Sequence, residues 1–232
     1  MVMDSATLLA RGLDALQIPW ESRHLEVLLR YLRELQLWNG KLKLVAAADE
    51  RELVVRHLLD SLAPLKLLEE QLKRCFELPE GASVADAGSG NGMPGLPLAL
   101  FLPRNPMTLI ERSGRRIGFL ENAVAASGIQ TLRDPQRQVM VLGQDLQEVR
   151  QSFAVVLFRA FRPLKEIYRH LDRVTESPGM LFAYKGRSAA VDDELHDVPS
   201  SFLDRWEIER HPLQVPFLDA ERTVVVFRRI MQ

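Results

Sequence analysis

The sequence predicts a Rossmann-like α/β fold: a mostly parallel, doubly wound sheet with an antiparallel last strand, preceded by an N-terminal helical extension. Three observations carry this. Apolar residues recur at helical spacing through roughly the first 75 residues. From about residue 82 to 186, short apolar runs alternate with helical patterns, as in parallel strands joined by crossover helices. The last two strand patterns are separated by little more than "FLDAE", a connection that joins antiparallel neighbours. The 232 residues therefore divide into 1–78, a helical region packed on the core, and 79–232, the α/β domain.

The elements follow in order. In "SRHLEVLLRYLRELQLW", Leu25, Leu28, Leu29, Leu32, Leu35 and Trp38 fall three and four apart on one helical face. Ser22 is the expected N-cap. "NGKLKLVAAA" reads as a turn and a short extended piece. Asp49 and Glu52 then have capping-box spacing at the head of "DERELVVRHLLDSLAPLKLL". After Pro79-Glu80-Gly81 the period changes. "SVADAG" is a buried-type strand, and "MPGLPLALFL" is a short helix with Pro94 and Pro97 near its start, where missing amide donors cost least. "MTLIE" is a strand. "GRRIGFLENAVAASG" is a helix ended by Gly128. "QVMVLG" and "FAVVLFRAF" are strands, "RPLKEIYRHLDRV" is a helix and "SPGMLFAYKG" is a turn and strand. "DRWEIERHPLQVP" and "RTVVVFRRI" complete the sheet.

Composition narrows the function. A net charge of −1 argues against avid nonspecific nucleic-acid binding, which draws on many lysine and arginine contacts to phosphate. A local basic face remains open, because arginines crowd the second half. No segment approaches the roughly 18 apolar residues of a membrane span, and the first residues lack the features of a signal peptide. The expectation is a cytoplasmic protein without membrane contact. The single cysteine, Cys75, permits no internal disulfide and reads as a packing residue. The histidines show no ligand spacing, so no metal site is expected.

The stretch "VADAGSGNGMPGLPLAL" contains two overlapping glycine patterns. Gly90, Gly92 and Gly95 spell G-x-G-x-x-G, the dinucleotide fingerprint. Gly88, Gly90 and Gly92 spell G-x-G-x-G directly behind Asp86. A nicotinamide cofactor needs its pyrophosphate at the N-terminus of the next helix, but Pro94 offers no amide hydrogen there. A carboxylate at Asp86 repels a pyrophosphate and suits a ligand carrying an ammonium and a sulfonium, as S-adenosylmethionine does. The antiparallel finish of the sheet also fits the methyltransferase variant of the fold. Glu111, 23 residues beyond Gly88, ends the second strand, where an acid accepts hydrogen bonds from ribose hydroxyls; both cofactor classes use that device.

The succession "VVRHLLDSL", "VADAGSGNGMPGLPLAL", "LIERSGRRIGFLENAV", "FRAF", "YKG" and "PFLDAERTVVVFRR" resembles the bacterial small-subunit (16S) ribosomal RNA guanine-N7 methyltransferases, also called glucose-inhibited division protein B. The match runs from about Trp38 to Arg228. The resemblance implies S-adenosylmethionine as methyl donor and 16S ribosomal RNA, free or in the small ribosomal subunit, as acceptor. It places Gly88, Met93, Glu111, Asp145, Leu146 and Arg159 at the donor, beside Asp86 and Gly90 of the glycine turn read above. Arg56, His57, Asp60, Arg162 and Lys185 become RNA candidates. The chain departs from the family at Lys43-Leu44-Val45, where Asn-Leu-Thr is usual. It also departs at Gln144-Asp145-Leu146, where an arginine, a small residue and a glutamate are usual, and at Phe158, where a serine is usual. These departures bear on the RNA target more than on the donor.

Methylation at N7 removes no proton, so no catalytic acid or base is nominated; the site has to align the reactants and exclude water. Arg159, Arg162 and Lys165 are placed to hold RNA backbone. Phe161 packs on a base, on adenine or in the core. His57 either faces the substrate or ties the N-terminal helices to the sheet. The same fold acting on another RNA, a small molecule or a protein is an alternative, and a nicotinamide-dependent oxidoreductase built on Gly90, Gly92 and Gly95 a more distant one.

Overall fold

The structure is a computed structural model that describes residues 3–186 and 188–230, without the side chains of residues 188–190. Helices α1 (Ser5–Ala15) and α2 (Ser22–Leu42) come first. A continuous helical run follows: α3 (Glu50–Leu53), a π-helical turn (Val54–Leu59) and α4 (Asp60–Leu62), then α5 (Leu65–Cys75). The α/β part runs β1 (Val84–Ala87), α6 (Gly95–Phe101), β2 (Met107–Ile110), α7 (Gly114–Ser127), a 3-10 turn (Ile129–Leu132), β3 (Val139–Leu142), β4 (Phe153–Arg159), α8 (Leu164–Val174) and β5 (Thr175–Lys185). It ends with α9 (Ser188–His196), α10 (Ser200–Leu203), β6 (Trp206–Leu213) and β7 (Arg222–Arg229). The sheet order is β3-β2-β1-β4-β5-β7-β6. Strands β1 to β5 pair in parallel, and β7 runs antiparallel to both β5 and β6. The predicted sheet, including its antiparallel finish, is present.

The strand period of two splits the core. Val84, Leu109, Val155, Leu157, Met180, Phe182, Val224 and Val226 face one side and join a single apolar cluster with α1, α2, the π-helical run, α6 and α7. Ala85, Val156, Phe158, Leu181, Ala183 and Phe227 face the other side, against α8, α9 and α10. Cys75 is half-buried against the first cluster.

Several boundaries differ from expectation. Glu21, not Ser22, caps α2; its backbone N–H donates to His24 Nδ1 at 2.9 Å, so a histidine at the third helical position takes the part usually played there by glutamate or glutamine. The expected turn at Asn39-Gly40 is helical, and the chain leaves α2 at Lys43, in a left-handed conformation with φ 50°. Asn39 supports that exit by accepting from the Val45 N–H. Asp49 caps α3 as expected by accepting from Glu52 N, while Glu52 reaches back to Ala48 N rather than to the cap residue. Among the described residues, no helix is long and apolar enough to cross a membrane.

Candidate active site

The functional edge is the carboxyl end of the parallel strands, and the first loop there is built by glycine geometry. Gly88, Gly90 and Gly92 have φ of +74°, +53° and +87°, which side chains rarely tolerate. A Cβ at Gly88 would overlap the Phe161 ring. Gly95 serves packing: a Cβ there would meet Leu109 Cδ2 at 2.5 Å and Asp86 Oδ2 at 2.8 Å. The start of α6 is closed to a pyrophosphate. Gly95 N–H donates to Asp86 Oδ2 at 3.0 Å, Leu96 N–H to the Gly92 carbonyl at 2.7 Å, and Pro94 and Pro97 have no amide hydrogen. The literal G-x-G-x-x-G is therefore a product of register. From the N-terminal side, Tyr31 of α2 anchors the loop by donating to the Asn91 carbonyl at 2.5 Å.

Glu111 leaves β2 into a nest of backbone donors. Its Oε1 accepts from Arg112 N at 2.9 Å and Ser113 N at 2.8 Å; its Oε2 accepts from Gly90 N at 3.0 Å. Asp145 faces it across the strand ends. Asp145 Oδ2 accepts from Arg112 at 3.1 Å and Arg162 at 3.3 Å. Partial burial works against its charge, yet the Gln147 N–H and the two guanidiniums hold its carboxyl below the usual range. Gly88, Glu111, Asp145 and Leu146 line a cavity of about 180 Å³ with Arg112, Arg116 and the Ala160–Arg162 segment.

A cleft of about 630 Å³ lies on the other side of that segment. Side-chain alternation gives it two walls, one from each face of the sheet. Arg159 and Tyr184 are register partners on β4 and β5, and both turn toward the π-helical run. Arg159 donates to Asp60 Oδ2 at 3.4 Å and Ser61 Oγ at 3.3 Å, and Tyr184 donates to the Ser61 carbonyl at 2.9 Å. Arg222, opening β7 on the same face, donates to Asp60 Oδ1 at 2.9 Å. Phe158 and Lys185 point the opposite way; Lys185 pairs with Glu194 of α9 at 2.6 Å and lies over the Phe158 ring. His57 and Arg56 complete the rim, Arg56 paired with Glu52 at 2.9 Å. Burial, reinforced by the Arg159 charge, pushes the His57 imidazole down to about 4, and its buried Nδ1 has no hydrogen-bond partner.

The predicted residues thus fall into three groups. Gly88, Glu111, Asp145 and Leu146 meet at the smaller cavity, with Gly90 fixing Glu111 from its backbone. Arg56, His57, Asp60, Arg159, Arg162 and Lys185 meet at the larger cleft. Arg159 lies there because its β4 position turns it toward Asp60. Asp86 and Met93 line neither cavity. Asp86 is buried beneath the glycine loop with its carboxylate on Gly95 N, and Met93 packs in the core. Lys165 is also displaced; it is paired at 2.8 Å with Asp197 outside the cleft. Arg112, Arg222 and Glu194 were missed. Arg222 was findable: a residue opening an antiparallel last strand must sit at the carboxyl edge of its parallel neighbour.

The family profile described as "GidB: rRNA small subunit methyltransferase G" matches residues 24–221. The chain belongs to the GidB family. Curated GidB relatives called "Ribosomal RNA small subunit methyltransferase G" align along nearly the whole chain. The Xylella fastidiosa protein is 34% identical, covering 94% of this chain and 92% of its own. That of Alteromonas mediterranea is 30% identical, covering 96% of each. Among solved structures, the magnesium protoporphyrin IX methyltransferase of Synechocystis PCC 6803 with bound SAM superposes with a TM-score of 0.56 at 14% identity, over 92% of this chain and 99% of that one. That likeness shows the fold. As a GidB member the chain is an S-adenosylmethionine-dependent methyltransferase.

Proposed function

We propose that this chain methylates N7 of a guanine in 16S ribosomal RNA, with S-adenosylmethionine held in the smaller cavity and the base presented from the larger cleft. One observation carries this reading: a glycine cradle flanked by two carboxylates lies directly beside an arginine-lined cleft, and one three-residue segment forms the wall between them. The donor supplies an electrophilic methyl group on a sulfonium. Gly88 and Gly90 keep side chains away so that backbone approaches it; Glu111 takes ribose hydroxyls and Asp145 with Leu146 the adenine. Asp86 and Met93 act from beneath, holding the loop.

The cleft residues orient the acceptor. Guanine N7 offers a lone pair and loses no proton, so the neutral His57 imidazole is not required as a base. Arg56, Arg159, Arg162, Lys185 and Arg222 offer cations to phosphate. The carboxylates of Asp60 and Glu194 suit the positive charge that the methylated ring acquires.

The test is incubation of the protein with labelled donor and small ribosomal subunits, then with small-molecule extracts, followed by mapping of N7-methylguanosine. Label in 16S RNA at one guanine is expected. Label confined to the extracts would overturn the RNA assignment.

A further inference from the structure

We propose that Ala160–Arg162 is a movable partition that couples the two cavities: seating the donor displaces Phe161 from Gly88 and turns it toward the acceptor base. This rests on the donor-site reading above. Three observations support it. First, the Phe161 ring lies where a Gly88 side chain would be, on the glycine that opens the cradle. With the ring there, the cavity holds about 180 Å³, below the roughly 300 Å³ at which pockets for organic ligands begin. Second, Ala160, Phe161 and Arg162 line both cavities, so whatever the ring vacates on one side it fills on the other. Third, Ala160 is a non-glycine residue at φ 46°, a conformation that must be held by its surroundings.

What holds it is on the donor side. Arg162 pairs with Asp145 at 3.3 Å and lies 5.2 Å from the centre of the Phe161 ring. Asp145 is the carboxylate assigned to the adenine. An adenine amino group hydrogen-bonded to Asp145 competes with Arg162 and loosens the clasp that keeps Phe161 down. Released, Arg162 adds a cation and Phe161 an aromatic face to the cleft, where a flipped base stacks. Donor and RNA then bind with positive coupling, and by linkage each tightens the other equally.

The probe is S-adenosylhomocysteine, titrated calorimetrically into the full chain, with small-subunit affinity measured in its presence and absence. The unsubstituted protein should bind subunits about fivefold or more tightly with the probe. Phe161→Ala should bind the probe several-fold more tightly and lose that coupling; Phe161→Leu should fall between. Unchanged or weaker probe binding by Phe161→Ala, or retained coupling, overturns the partition. Glu111→Ala separates this from the site reading. Loss of probe binding in Glu111→Ala beside unchanged affinity in Phe161→Ala removes the partition alone. Full binding by Glu111→Ala removes the donor site, and the partition with it.

Discussion

The two cavities on the carboxyl edge are held by opposite means. In the smaller one the central carboxylate, Glu111, is fixed by three backbone N–H groups, so its position follows the chain trace. In the larger one the central carboxylate, Asp60, is fixed by two long side chains, Arg159 and Arg222, from strands far apart in sequence. A site built from backbone is preorganised and hard to retune. A site built from ion pairs can exchange partners, and each cleft cation already has a carboxylate that phosphate must displace. The first arrangement suits a small invariant ligand, the second a large polyanion met at varying angles.

The largest expected effect breaks the backbone-built side. Gly88→Val places a branched side chain at φ +74° and into the Phe161 ring. Strain at such a position is of the order of 1–3 kcal/mol. Calorimetry should show donor affinity lowered at least a hundredfold, because the cradle is filled as well as strained. Donor binding within a few-fold of normal would mean that Gly88 does not line the site.

Next comes the side-chain-built cleft. Asp60→Ala leaves Arg159 and Arg222 facing each other without their shared acceptor. Removing one partner of a buried ion pair costs roughly 3–5 kcal/mol, and the partial exposure of both guanidiniums puts the expected loss near the lower end, about 3 kcal/mol. Urea denaturation reads it. A loss below ~1 kcal/mol would show that the arginines find water or each other's neighbours at little cost. Asp60→Asn, which keeps one acceptor oxygen, should lie between.

The same contrast decides how much was legible in the sequence. Gly88 and Gly90 were readable because their backbone conformation demands glycine, and Glu111 because it closes the second strand at the spacing of a ribose-binding acid. Gly95 is demanded by packing, since a proline-led helix can approach a sheet closely only over a missing side chain. The burial of Asp86 beneath its loop was not readable: a sequence gives the strand end but not which carboxylate oxygen an amide nine residues later will take. The cleft was readable only in pieces. Arg56–Asp60, Arg159, Lys185 and Arg222 converge through sheet order and strand parity, and one set of side chains points to each face. The π-helical turn at Val54–Leu59 had no visible signal, because its apolar pattern is that of an ordinary helix.

The smallest net effect, because two slopes oppose each other, sets one buried group of each region against the other through pH. Burial raises the Asp86 carboxyl from 3.8 to about 7 and lowers the His57 imidazole from 6.5 to about 4. Between pH 3.8 and 7 the native protein keeps a proton on Asp86 that the unfolded chain has lost, so this group makes stability fall as pH rises. Between pH 4 and 6.5 the unfolded chain keeps a proton on His57 that the native protein has lost, so this group makes stability rise with pH. Each slope approaches ~1.4 kcal/mol per pH unit, and they oppose each other until about pH 6.5, above which Asp86 acts alone. Asp86→Asn retains an acceptor for the Gly95 N–H and should leave the rising slope exposed. His57→Gln should leave the falling one. Urea midpoints from pH 4.5 to 7.5 distinguish them; parallel curves for both variants would show that neither group is buried as described.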